Sequence, residues 1–187
     1  MAGRRRAGRR RLLGGGAVIF ASVGSMLPFE RFVRAIDDWA AANRNERVFL
    51  QIGETEFEPK HAEWCRILPP ADYRRALEEC RFFVAHVGMG SILQGIEARK
   101  PMILLVRKPE LGEHTQDHQR ATAAKFIGKR GIRITEDETE LLSIMDSMTA
   151  NSAEVPDSVS TEASPELIAN VREFLRRSTS RTRPTHR

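Results

Sequence analysis

The sequence predicts an α/β protein with a doubly wound parallel sheet, and three observations support that prediction. Short, continuous apolar runs alternate along the chain with longer segments whose apolar residues recur at helical spacing. Several apolar runs end in glycine, as a buried strand does where it enters a tight turn. Strands that alternate with helices are joined by right-handed crossovers, so the sheet is parallel and helices cover both faces. The 187 residues are enough for one such domain.

The first three strands differ in how clearly they stand out. Residues 17–23 form a continuous apolar run that stops at Gly24 and Ser25, which indicates a buried strand. Residues 47–53 also end in glycine, whereas residues 65–68 form a weaker strand that stops at two prolines. Helices are expected where apolar residues recur every three or four positions, at residues 29–42 and 72–79.

The second half of the chain repeats the alternation. Strands are expected at residues 81–86, 101–106 and 131–134, and helices at residues 91–99, from the 112–119 loop to about 128, and at 137–148. This division predicts five regions: a basic disordered leader (1–16), a globular lobe (17–148), a linker rich in polar residues (149–164), a C-terminal helix (165–178) and a basic tail (179–187).

Charge and composition exclude several classes of protein. The net charge of +5 is uneven, because six arginines before residue 12 add +6 and the last sixteen residues add +5, so the remainder carries −6. An acidic body without an aromatic stacking surface argues against nucleic acid as a partner. The apolar runs are shorter than the roughly 18 residues that span a bilayer. Two cysteines are too few for a disulfide scaffold or a four-thiolate zinc site.

Glycines follow two of the predicted strands at the edge where parallel sheets bind ligands, the carboxyl ends of the strands. Gly24 and Ser25 follow the first strand, and Gly88, Gly90 and Ser91 follow the fourth. Glycine lets the backbone approach an anion closely, and a helix start supplies free N–H groups. This pattern fits a phosphate site, and it fits equally a tight turn in which the serine caps the helix.

Other nucleotide motifs are absent from the sequence. Leu93 stands where the third glycine of a dinucleotide-binding Gly-x-Gly-x-x-Gly motif would be, and no Walker A motif or Asp-x-Asp motif is present. A polar cluster at residues 113–119 follows the fifth strand, with His114 and His118 four residues apart. A metal site would need a third ligand. The cluster is better suited to hydrogen bonds with the hydroxyls of a polyol, and a solvated helix start remains the simpler alternative.

Taken in order, these motifs resemble the C-terminal, donor-binding half of the family 28 glycosyltransferases. The resemblance covers residues 17–148 and is greatest to split members, namely the catalytic subunit of the dolichol-linked N-acetylglucosaminyltransferase and small bacterial exopolysaccharide glycosyltransferase subunits. The motifs that carry it are Val23-Gly24-Ser25, Gln51-Ile52-Gly53, His86-Val87-Gly88-Met89-Gly90-Ser91-Ile92, Lys100-Pro101, Val106-Arg107 and Asp117-His118-Gln119.

The resemblance implies one Rossmann-like lobe of the two-lobed GT-B fold and a metal-independent hexosyltransferase that uses a UDP-sugar and no cofactor. It implies that Gly24, Ser25, Gly88, Gly90 and Ser91 bind the donor diphosphate, that Gln94 binds the ribose where many relatives have Glu, and that Asp117, His118 and Gln119 bind the sugar. His86 is expected to be a structural or site histidine, and no catalytic base is assigned.

The resemblance also implies a partner. With sixteen residues before the first strand, we expect the acceptor-binding lobe to come from a separate, membrane-anchored subunit. The pair would work in the cytoplasm at the membrane face, transferring a hexosyl or N-acetylhexosaminyl group to a polyprenyl-linked or polysaccharide acceptor. The alternative is a non-catalytic nucleotide-sugar-binding or assembly subunit of a polysaccharide synthesis complex.

Overall fold

A computed structural model describes residues 18–115, 118–158 and 169 of the chain. The strands are β1 (Val18–Ser22), β2 (Arg47–Gln51), β3 (Glu63–Cys65), β4 (Cys80–His86), β5 (Met102–Leu105) and β6 (Ile132–Thr135). The helices are α1 (Glu30–Ala42), α2 (Pro70–Glu79), α3 (Met89–Glu97), α4 (His118–Phe126) and α5 (Glu138–Ala150), with a short 3₁₀ turn at Pro109–Leu111. The expected leader, basic tail and, apart from Ala169, C-terminal helix lie outside the described residues.

The described strands form one parallel sheet in the order β3-β2-β1-β4-β5-β6. Helices α1 and α5 pack on one face, and α2, α3 and α4 pack on the other. The α/β, doubly wound architecture expected from the sequence is therefore confirmed. The chain runs outward from β1 to β3 and then returns to place β4 beside β1. The two strands are the topological switch point of the sheet, where ligands bind in folds of this type.

Strand β3 is the element that the sequence placed wrongly. It lies at Glu63–Cys65 rather than at residues 65–68, because Glu63 pairs with Phe49 at the edge of the sheet. The two prolines that were expected to end a strand instead open a helix, with Pro70 in the first turn of α2. Proline suits that position because the first turn of a helix has no partner for its N–H groups.

Asp37 in α1 is a buried carboxylate. Its side chain is 2% exposed and accepts hydrogen bonds from the backbone N–H groups of Lys60, His61 and Ala62 at 2.9, 2.7 and 2.9 Å. The carboxylate therefore ties the long β2–β3 connection to α1.

Candidate functional site

The two glycine turns meet around His86 at the switch point. Ser22 and Ala85 are paired across β1 and β4, so the turns that follow these strands are neighbours. A Cβ atom at Gly24, where φ is +82°, would lie 2.7 Å from Cε1 of His86. A Cβ atom at Gly88 would lie 2.3 Å from Nε2 of the same ring. Both positions therefore require glycine, because the imidazole fills the space that any side chain would need.

The His86 imidazole is neutral at pH 7. Burial, then the charge of Arg107, then that of His114 lower its pKa from 6.5 to about 4, against an opposing effect of the Ser22 backbone. Among the buried side-chain nitrogen and oxygen atoms of the described residues, only Nδ1 of His86 has no hydrogen-bond partner. A buried ring nitrogen of this kind is an unused hydrogen-bonding group at the junction of the two turns.

Helix α3 begins at this junction with three free backbone N–H groups. The helix starts at Met89, with Gly88 as N-cap and no capping side chain, so it begins two residues before the expected position. Its first backbone bond runs from the Ile92 N–H to the Gly88 carbonyl at 3.0 Å. Within the described part of the chain, the N–H groups of Met89, Gly90 and Ser91 have no acceptor. Together with the helix dipole, they form a site of positive potential.

Gly90 and Ser91 differ in what they present at this helix start. A Cβ atom at Gly90 would meet nothing within 4 Å, so the backbone there borders open space. Ser91 is 7% exposed, and its side chain lies beside the buried Tyr73 hydroxyl, whose pKa is raised by burial against an opposing effect of the Ser22 and Ser91 side chains. The N–H group of Ser91, rather than its hydroxyl, is therefore the group left for a ligand. Gln94 lies one turn further along α3 and is exposed.

The turn after β1 is fixed from two sides. The Ser22 hydroxyl accepts the Gly24 N–H at 3.1 Å. Gln51, at the end of β2, donates from Nε2 to the Gly24 carbonyl at 3.0 Å and accepts the Leu68 N–H at 2.9 Å. A single buried amide therefore connects the β1 turn to the loop after β3.

Arg107 follows β5 and is 3% exposed. Its Nη1 atom donates to the carbonyls of Pro28 and Glu113 at 2.8 and 2.9 Å, and its Nη2 atom donates to those of Val23 and Leu27 at 2.8 Å each. Burial, offset by Glu113 and reinforced by Arg31, lowers the pKa of Arg107 to about 10, so it is charged at pH 7.

The polar cluster after β5 is partly committed to contacts within the protein. The Glu113 carboxylate accepts Nε and Nη2 of Arg31 at 2.6 and 3.0 Å and the Lys108 N–H at 2.7 Å. Oε1 of Gln119 accepts the Arg107 N–H at 3.0 Å, and the residue is 6% exposed. His118 is exposed at the start of α4, and Asp117 lies outside the described residues.

The roles of Arg31, Gln51 and Arg107 were missed in the sequence. Gln51 and Arg107 belong to the motifs that carry the family resemblance, yet their partners could not be read from spacing. Arg31 has no sequence signal, because its partner Glu113 is 82 positions away. No group of three or more His, Cys, Asp or Glu residues is placed to hold a metal ion in the part of the chain that the structure describes. Nor is any described helix long and apolar enough to cross a membrane.

A cavity of about 340 Å³ lies elsewhere, beside the start of β6 and the end of α5. Its lining includes Arg133, Ser147 and Asn151. The last carbonyls of α5 point toward this end of the helix, which is the negative end of its dipole. The helix dipoles therefore favour an anionic ligand at the start of α3 and disfavour one in this cavity.

Comparisons with solved structures identify the fold. The glycotransferase of kitacinnamycin matches with a TM-score of 0.60 and 22% identity, over 93% of this chain and 43% of that protein. CalG4, the calicheamicin glycosyltransferase, matches with a TM-score of 0.53 and 16% identity, over 73% of this chain and 34% of that protein. The solution structure of ALG13 matches with a TM-score of 0.54 and 16% identity, over 77% of this chain and 90% of that one.

Neither protein-family models nor curated proteins match the sequence. The chain spans less than half the length of the first two glycosyltransferases. At these identities the likeness concerns the fold. The chain has the Rossmann-like α/β fold of one lobe of the GT-B glycosyltransferases, as the sequence predicted.

Proposed function

We propose that this chain is the donor-binding lobe of a UDP-sugar-dependent glycosyltransferase. The observation that carries the proposal is the meeting of two glycine turns with the free N-terminus of α3 at the switch point of the sheet. The open space at Gly90 gives a diphosphate access to the N–H groups of Met89, Gly90 and Ser91. The fold shared with solved glycosyltransferases and the family 28 motifs in the sequence support the same reading.

The diphosphate would lie between Gly24–Ser25 and Gly88–Ser91. Negative charge grows on UDP as the bond to the anomeric carbon breaks. N–H groups and a helix dipole that already point at that position stabilise the charge without having to reorganise. The mechanism is then direct displacement at the anomeric carbon, in which the acceptor oxygen forms the new bond and UDP departs with the bonding electrons.

The remaining donor contacts are proposed from the family resemblance. Gln94 is exposed one helical turn beyond Gly90, and its amide would bond to the ribose hydroxyls of a donor whose phosphates occupy the α3 start. His118 and Gln119, with Asp117, would contact the sugar. Oε1 of Gln119 already accepts the Arg107 N–H, so its Nε2 group would donate the hydrogen bond to a sugar hydroxyl.

The acceptor and the base that deprotonates it would come from a second, membrane-anchored subunit. The likeness to ALG13 extends over 90% of that structure, whereas it covers less than half of the two longer glycosyltransferases. The acceptor would be a polyprenyl-linked or polysaccharide chain. The six arginines near each end of the sequence would add membrane affinity, at about 1 kcal/mol for each residue close to anionic lipid.

A transfer assay with a panel of radiolabelled UDP-sugars tests the proposal. The chain is assayed with membranes, alone and co-expressed with a short neighbouring-gene product that carries one N-terminal hydrophobic helix. Transfer that requires both proteins and is lost in Gly90→Asp supports a split glycosyltransferase. UDP binding without transfer in any combination would instead favour a nucleotide-sugar-binding or assembly subunit, and absence of UDP binding would refute both.

A further inference from the structure

Arg107 sits behind the candidate diphosphate site rather than inside it. Its guanidinium is enclosed by four backbone carbonyls and lies over the Phe29 ring, 4.5 Å from the ring centre. With 3% exposure and both Nη atoms occupied, it is not a direct ligand for a phosphate oxygen. Any effect on a ligand must act through the backbone that it holds or through its charge.

The four carbonyls identify the backbone that Arg107 holds. Three belong to Val23, Leu27 and Pro28, which bracket the turn that contains Gly24 and Ser25, and the fourth belongs to Glu113. The planar guanidinium reaches all four at once from one fixed position. A lysine ammonium has three donors on a flexible stem and cannot reproduce this arrangement. The shape of the 23–28 turn therefore depends on the arginine fork and not on a positive charge alone.

The charge of Arg107 also reaches the junction of the two turns. The Glu113 carboxylate beside it is paired with Arg31, which itself contacts Glu138 at 3.2 Å. The charge of Arg107 is the second-largest cause of the low pKa of His86, ahead of His114. A positive potential that disfavours a proton on this imidazole favours an anion beside it.

We propose that Arg107 is a positioning residue for the candidate diphosphate site. Its guanidinium holds the 23–28 turn in the shape that presents Gly24 and Ser25, and its charge supplies positive potential behind Gly24 and Gly88. The choice of a nucleoside diphosphate as ligand rests on the proposed function. The contacts of Arg107 with the 23–28 turn and its effect on the His86 pKa exist in the protein without a ligand.

Three variants of the full chain separate these effects: Arg107→Met, Arg107→Lys and the control Arg44→Met, an exposed residue beyond the far end of α1. Amide hydrogen exchange of residues 23–27 and NMR titration of the His86 ring are measured without ligand. UDP and uridine binding are then measured by calorimetry. We expect Arg107→Met to speed exchange in the turn and to raise the His86 pKa toward 6.5. It should also weaken UDP binding roughly tenfold, because the turn loses its shape and the site loses a nearby positive charge, with little effect on uridine.

Arg107→Lys keeps the charge and is the variant to rely on if Arg107→Met does not fold. It should speed exchange in the turn while leaving the His86 pKa close to that of the wild type. Unchanged exchange and an unchanged His86 pKa in both variants would overturn the role given to Arg107, even if wild-type UDP binding stands. If the wild type does not bind UDP, the proposed function fails, and the ligand-free measurements still decide whether Arg107 holds the turn.

Discussion

Replacement of Gly90 by alanine separates ligand binding from folding. A Cβ atom at this position meets nothing within 4 Å, and the residue lies in the first turn of α3 without a positive φ. Alanine in a helix is more stable than glycine by about 0.5–1 kcal/mol, so the folded state should gain stability or stay unchanged. For a chain of this size, 1 kcal/mol corresponds to a rise in Tm of roughly 2–4 °C.

The same methyl group occupies the space from which a phosphate would reach the N–H groups. Loss of one hydrogen bond to a charged group costs about 1.5–3 kcal/mol, which corresponds to a weakening of roughly 10- to 100-fold in Kd for UDP. Calorimetric titration with UDP and with uridine, alongside a thermal melt, measures both effects. Ser143→Ala in α5 is the control, as an exposed helical substitution far along the chain. If Gly90→Ala binds UDP as tightly as the wild type, the diphosphate does not lie at the start of α3.

Three other substitutions test the His86 ring, the Asp37 contacts and the proposed ribose site separately. The pKa of His86 is about 4 in the folded protein and 6.5 in the unfolded chain. As the pH falls, the unfolded chain therefore binds the proton first, and the free energy of unfolding decreases below pH 6.5. Between pH 7 and pH 5, the free energy of unfolding measured in urea should fall by about 2 kcal/mol more for the wild type than for His86→Gln. Equal decreases in the two proteins would contradict a neutral, buried ring. Asp37→Asn removes the negative charge of a side chain that accepts three N–H groups and should lower the free energy of unfolding by about 2–4 kcal/mol. The matched change at its exposed neighbour, Asp38→Asn, should leave the free energy of unfolding almost unchanged. Similar melting curves for the two variants would contradict the contacts described. Gln94→Ala should weaken UDP binding several-fold while leaving 2′-deoxy-UDP binding nearly unchanged, and an equal loss for both would remove Gln94 from the ribose site.

Local patterns in the sequence predicted the sheet and the two glycine turns because their causes are local. An apolar run that ends in glycine reports a buried strand and a close backbone approach without reference to distant residues. Strand β3 was misplaced because it is short and lies at the sheet edge, where its pairing with β2 decides its position. The burial of Asp37 did have a signal, since it lies four positions after Val33 on the apolar face of α1.

The network behind the site could not be predicted in this way. The Arg31–Glu113 pair joins residues 82 positions apart, and the Arg107 contact with Val23 spans 84. Which of several arginines is buried depends on how three loops meet at one end of the sheet. Sequence spacing therefore indicated where a ligand could approach, whereas the structure revealed the residues that hold the surrounding backbone.

NMR titration of the ¹⁵N-labelled chain with UDP shows directly whether a diphosphate binds where the two glycine turns meet α3. We expect saturable shifts at the amides of Gly24, Ser25 and residues 88–91, with much smaller changes there when uridine replaces UDP. Saturable shifts confined to the cavity around Asn151, or none at all, would contradict a diphosphate site at the junction of β1, β4 and α3.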